Sequence, residues 1–265
     1  MKTILVLLLS AFPFLLSVSS QAQESPQEQQ LVDKLNAARR EAGLSALQVD
    51  RRLVEAAREH SRKMAEQNSL GHVLPGEDTV ANRIAATGLR FNRSGENVAY
   101  NTDFNGLHTG WMNSPPHREN ILDPHYTLVG IGVVKSDDGV YWATQDFAHG
   151  ETQRTDEQAE DMAAKSFNLL RKRSGAPAMQ RVMKSEIHEL ACSMGEAAHL
   201  NPQQVLGLPG VHYTITYNNS RPEELPSSAR GIAGAKQLRE YAVGACFAQA
   251  KDNPGGTYYV VMAFY

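Results

Sequence analysis

Nine histidines are spread along the 265 residues, and two of them stand where an imidazole can act on something outside the chain. His72 follows Gly71 in a stretch rich in glycine and proline, a loop by composition. His117 closes the run Ser114-Pro115-Pro116-His117. Serine at the N-cap and proline at the first helical position open a helix, here extending to about Leu122, with His117 in its first turn. The positive end of a helix dipole disfavours protonation there, and a neutral imidazole is the form that binds a metal ion. A lone histidine is usually a bystander, so context decides. His60 lies on the apolar stripe of a helix and is expected to pack in the core, while His108, His125, His149, His188, His199 and His212 show no partner spacing.

Composition sets outer limits on what these residues serve. The chain is 42% hydrophobic and 21% charged, with a net charge of -3, which excludes a coiled coil, a disordered tail and a disulfide-stapled miniprotein. It also offers no basic footprint for nucleic acid or an anionic membrane. Lys2, the apolar run Ile4 to Val18 broken by Pro13, and Ser20-Gln21-Ala22 read as a secretory signal peptide over residues 1–22, cleaved after Ala22. The mature protein is then secreted or periplasmic, with no integral membrane segment after cleavage. Export makes disulfides possible, and Cys192 in a helical pattern and Cys246 in a strand pattern either bridge a helix to its sheet or pack as two buried thiols.

The elements that must position the histidines follow from periodicity. Leu31, Leu35, Ala38 and Ala42 keep helical spacing up to Gly43, and Leu53, Ala56, Ala57, His60 and Met64 make a second stripe with Asp50 as N-cap. A further helix runs from Thr79 to Thr87 before Gly88, and 94–100 is a turn into a short helix or extended piece. Two strands, Tyr126 to Val134 and Val140 to Phe147, flank Ser136-Asp137-Asp138-Gly139, a hairpin signal. Residues 149–160 are a polar linker, and 161–265 resemble the first half. Asn36 to Gly43 parallels Asn168 to Gly175, Val129-Gly130 parallels Val243-Gly244, and the strand from Gly139 parallels the strand from Gly256. Either the chain holds two copies of one α/β module, or two α/β segments look alike by chance.

Four motifs occur in order: Gly71-His72, "GENVAY" at 95–100, "WMNSPPHRENIL" at 111–122 and "YTLVGIGVV" at 126–134. Together they resemble the bacterial form of the CAP superfamily, the SCP-like extracellular domain of cysteine-rich secretory, antigen and pathogenesis-related proteins, over residues 31–148. The resemblance implies an α/β fold, a three-layer α-β-α sandwich, followed here by the second, degenerate α/β copy. It implies an open cleft lined by two histidines and two acids. The histidines fall on His72 and His117 and the first acid on Glu96. The second acid falls on Ser114, a departure that takes one charge from the cleft.

Two imidazoles with a carboxylate can hold a divalent metal such as zinc, Glu96 acting directly or behind a ligand. Alternatively the three side chains only tie loops together. Asn97 and Asn120 are expected to hold loop backbone, Trp111, Tyr126 and Phe147 to form core or cleft wall, and Arg83 either to pair with an acid near the cleft or to be a solvated charge. Ser114, expected to spend its hydroxyl on the helix N-cap, stands outside any Gly-x-Ser-x-Gly elbow and is a poor nucleophile. The reading therefore favours a secreted protein that binds a divalent metal and an extracellular ligand (lipid, glycan or protein) through Glu96, Asn97, Trp111 and Ser114. The alternative is a metal-dependent hydrolase acting on cell-envelope or extracellular substrates. An ungapped alignment on Val243-Gly244 puts Gly231 at the place of His117 and Ser228 at that of Ser114, so the second copy is expected to lack the site.

Overall fold

The computed structural model describes residues 24–265; the expected signal peptide lies outside them. The first half runs α1 (Pro26–Glu41), β1 (Gln48–Val49), α2 (Arg51–Gln67), α3 (Val80–Ala86), β2 (Phe91–Asn101), α4 (Phe104–Asn113), α5 (Pro115–Ile121), β3 (Leu128–Lys135) and β4 (Tyr141–Gly150). The second runs α6 (Asp156–Arg173), β5 (Gln180–Arg181), α7 (Ser185–Glu196), α8 (Pro202–Leu206), β6 (Tyr213–Asn219), α9 (Ala229–Ala233), β7 (Glu240–Ala250) and β8 (Asn253–Phe264).

Local signals set most of these boundaries. Ser25 and Glu28 form a reciprocal capping box on α1, and the Asp50 side chain accepts from Arg52 N at the start of α2. Thr155 and Gln158 make the same box on α6, which therefore opens inside the segment expected as a linker. Of the two alternatives for 94–100, the extended one is observed, within a long strand over residues 91–101. Its Ser-Gly-Glu-Asn sequence is a poor strand former by propensity, and pairing with β4 along its whole length overrides that preference.

The two halves have the same topology. One sheet has the order β1-β3-β4-β2 and the other β5-β7-β8-β6, with a parallel first pair and antiparallel pairs after it in both. Helices cover both faces. Leu31 and Leu35 of α1, Leu107 and Trp111 of α4 and Ile121 of α5 pack with Val129, Ile131 and Phe147 on one face. Leu53 and Met64 of α2 and Ile84 of α3 form the core of the other. This is the three-layer α-β-α sandwich, with a second copy built likewise on α6 and α7.

Alternation along β3 explains how α2 comes so close. Val129 and Ile131 point toward α1, so Gly130 and Gly132 face α2. A Cβ on Gly130 would lie 2.2 Å from the Leu53 carbonyl carbon, and one on Gly132 would lie 2.2 Å from Arg58 N. Gly244 makes the matching approach to Ile187 and His188 of α7, which sets α7 onto α2 position by position. On that register Cys192 and Cys246 occupy the places of Arg58 and Gly132. They are joined by a disulfide with Cα atoms 4.9 Å apart. Of the two cysteine readings, the bridge from helix to sheet is the one observed.

Candidate functional site

Glu96 and Asn97 are neighbours on β2, an edge strand, and their side chains leave on opposite faces. His72 Nδ1–H donates to Glu96 Oε1 (2.8 Å). Asn97 Nδ2 donates to the His117 carbonyl (3.0 Å) and to Gln145 Oε1 (3.0 Å), and Asn120 donates to Asn97 Oδ1 (2.9 Å) and the Glu96 carbonyl (3.1 Å). The α2–α3 loop and α5 are thereby fastened to consecutive residues of one strand. His72 is about half exposed, its side chain at 53%, while Glu96 is buried at 1%.

The two imidazoles differ in electrostatic state. The bond to Glu96 raises the His72 pKa, with burial and Arg83 opposing. Burial first, and then the neighbouring charge of His72, lowers that of His117. His117 is thus kept in the form with a lone pair to give, and it stands close enough to His72 for their charges to interact.

Beneath this pair lies a buried polar cluster larger than the sequence suggests. Of the two readings of Arg83, pairing with an acid is the one observed: its side chain is only 8% exposed and is paired with Glu96 Oε2, and its Nη1 donates to the carbonyls of His72 and Asp78 (2.9 Å each). His60 is fully buried as expected, but in polar company: its ring nitrogens join Glu77 Oε2 and the Gly71 carbonyl, each at 2.8 Å.

Asp146 pairs with Glu96 across the β2–β4 ladder and is fully buried. Burial, then the Glu96 charge, push its carboxyl well above the usual range. Neither Asp146 oxygen meets a protein donor. Burial and the facing Glu96 charge thus both favour the neutral form of Asp146. The cleft is consequently not short of an acid: Glu77 and Asp146 stand beside Glu96. Sequence reasoning misses them because the only hint is a set of polar residues at inward positions of an apolar strand, Thr144-Gln145-Asp146.

Of the other expected binding residues, Trp111 lies in the core and Ser114 in the connection between α4 and α5. Trp111 is 1% exposed within the core between α1, α4 and the sheet. Ser114 links α4 to α5 and makes no side-chain capping bond, contrary to expectation. Pro116 at the second helical position has no N–H to offer the hydroxyl.

Residues 32–147 match the family model for the cysteine-rich secretory protein family, CAP. The first half of the chain carries a CAP domain on this match. Its CAP domain is 33% identical over 130 residues to the uncharacterized protein YkwD of Bacillus subtilis, covering 49% of this chain and 50% of that protein. It is 35% identical over 111 residues to the uncharacterized membrane protein YlbC of the same organism, covering 42% and 32% respectively. The chain thus spans half or less of the length of these relatives. Among solved structures, an extracellular SCP-domain protein of Bacillus anthracis is 28% identical with a TM-score of 0.43, covering 48% of this chain and 44% of that one. An outer surface protein of Borrelia burgdorferi is 23% identical with a TM-score of 0.46, covering 49% and 97%. Among the described residues, no helix is long and apolar enough to cross a membrane.

The second copy carries the same frame without the CAP cleft's polar residues. Strand register places Thr216 and Tyr217 at Glu96 and Asn97, and Val260 and Val261 at Gln145 and Asp146. Met194 falls on His60. Arg39 and Arg171, which bind matching carbonyls, place Ala229 rather than Gly231 at His117. The ungapped alignment errs by two because the segment from Ala235 to Val243 is longer than that from Asp123 to Val129.

Proposed function

We propose that this is an extracellular binding protein whose CAP-domain cleft holds a divalent cation on His72 and His117 and presents it to a ligand. The observation that carries the reading is the His72 Nδ1–Glu96 Oε1 bond of 2.8 Å. With the proton on Nδ1, Nε2 keeps its lone pair for a metal, and a carboxylate behind a ligating histidine is the usual means of orienting it. Glu96 therefore acts behind His72 and not as a direct ligand. Two imidazole nitrogens with water in the remaining positions suit zinc, which would polarise a ligand oxygen placed there. Leu70, Val73 and Tyr100, near this edge in sequence, are exposed and offer apolar surface to a ligand.

The arrangement gives catalysis little support. Both Glu96 oxygens are engaged, by His72 and Arg83, which commits this carboxylate to orienting those two side chains rather than a water. The presence of extracellular and outer-surface proteins among the similar structures agrees with the signal-like sequence at residues 1–22. Zinc titration by calorimetry tests the reading. His72→Ala and His117→Ala are each expected to weaken binding at least about tenfold; affinity unchanged in both rejects the site.

A further inference from the structure

The disulfide in the second copy sits inside a set of metal-ligand side chains. Among the described residues, Asp156, His188 and Cys192 form a group whose ligand atoms all lie within 4.8 Å of one another. They come from the start of α6 and from one face of α7, where His188 and Cys192 are four residues apart. Cys246 on β7 completes the group through its bond to Cys192. Glu160 Oε1 accepts from His188 Nδ1 (3.0 Å), which turns Nε2 toward Cys192 Sγ at 3.6 Å. One Asp156 oxygen accepts from Phe247 N (3.0 Å), fixing the carboxylate beside Cys246.

We propose that the Cys192–Cys246 disulfide masks a zinc-type site, and that reduction exposes a ligand set of two thiolates, an imidazole and a carboxylate made of Cys192, Cys246, His188 and Asp156. A dithiol reductant delivers two electrons and two protons to the disulfide and leaves as its own cyclic disulfide. Both protons are released when the two sulfurs bind the cation as thiolates. A tetrahedral zinc with ordinary Zn–S and Zn–N bonds holds sulfur and nitrogen about 3.6 Å apart, the separation already present between Cys192 and His188. Glu160 behind His188 repeats the carboxylate–histidine arrangement that orients zinc ligands.

The first copy shows that this set is particular to the second. Where His188, Cys192 and Cys246 stand, it has Val54, Arg58 and Gly132, and Glu28, in the place of Glu160, pairs with Arg58. The acid common to both copies thus meets an arginine in each, Arg58 or Arg181, and in the second copy it also holds His188.

Cobalt is a suitable probe because thiolate ligation gives it a near-ultraviolet charge-transfer band that a histidine-only site does not produce, so the result is independent of the cleft at His72. The full chain is reduced with a dithiol, freed of it under argon, and titrated with cobalt while circular dichroism follows folding. One equivalent is expected to bind to the reduced protein with the thiolate band, and the oxidised protein is expected to lack that band. His188→Ala and Asp156→Asn, which leave both cysteines in place, are expected to weaken binding at least about tenfold, and Glu160→Gln by about tenfold to a hundredfold. The proposal is overturned by a reduced chain that shows no thiolate band. It is also overturned by one that unfolds without recovery on adding cobalt, or by affinity unchanged in both His188→Ala and Asp156→Asn.

Discussion

Arg39 and Arg171 are the same residue in two settings. Each is 1% exposed at the end of the first helix of its copy, and each donates from Nε to the carbonyl six residues on, Ser45 or Pro177. Each also donates from Nη1 to two carbonyls spaced by two residues, Ile121 and Asp123 or Ala233 and Ala235. One guanidinium therefore closes three chain segments over the end of each sheet. Arg39→Ala and Arg171→Ala leave several buried carbonyls unpaired and are expected to cost about 3 kcal/mol or more, measured by urea unfolding. Lysine should recover little, since it lacks the planar fork.

Replacing Glu96 by glutamine keeps its size but removes the charge that holds His72. If Glu96 orients the imidazole, zinc affinity falls about tenfold to a hundredfold while the fold persists. Calorimetry beside circular dichroism separates that outcome from simple unfolding.

Gly132→Ala probes the contact between α2 and β3. The added Cβ would lie 2.2 Å from Arg58 N and 2.3 Å from the Ala57 carbonyl carbon, both backbone atoms that cannot rotate away. The expected loss is about 3 kcal/mol, the upper end for overpacking, read as a lower unfolding midpoint.

Asp146 carries a pH signature of definite sign. Its folded pKa lies above the unfolded value, so the folded state binds more protons between those two values, and stability falls as pH rises through that window. Asp146→Asn keeps the size of the side chain but has nothing to ionise. The variant is expected to melt higher than the parent at neutral pH, with the difference shrinking toward pH ~4.

Much of the fold is legible in the sequence because its signals are local. The stripes of α1 and α2, the Asp138-Gly139 turn and the paired strand endings in the two halves each depend on a few adjacent residues. Strand β2 is hidden because Gly95, Glu96 and Asn97 are chosen for what they touch across the cleft rather than for extended backbone. His72, Glu96 and Asn97 can be named through motifs. Arg83, Glu77 and Asp146 cannot, because a charged residue is ordinarily solvated and only the assembled fold shows that these three face one another. His188 escapes notice because its neighbour Cys192 reads in the sequence as half of a bridge or as a buried thiol, neither of which calls for a histidine.

Carboxyl groups held below their ordinary pKa give the first half a sensitivity to acid. In the first half, Glu28 and Asp50 have depressed pKa values because Arg58 and Arg52 outweigh burial, and Asp123 is held down against burial by the His125 backbone. Such groups support the fold above their unfolded pKa and withdraw that support as pH drops through the folded one. At the strand positions that match the cleft, the other half has Thr216, Tyr217, Val260 and Val261, which carry no carboxyl group. Gradual acidification followed by hydrogen exchange should therefore show residues 24–150 loosening before the carboxy-terminal sandwich does. In that order of failure the ancestry of two similar modules would become visible as a difference in chemical endurance.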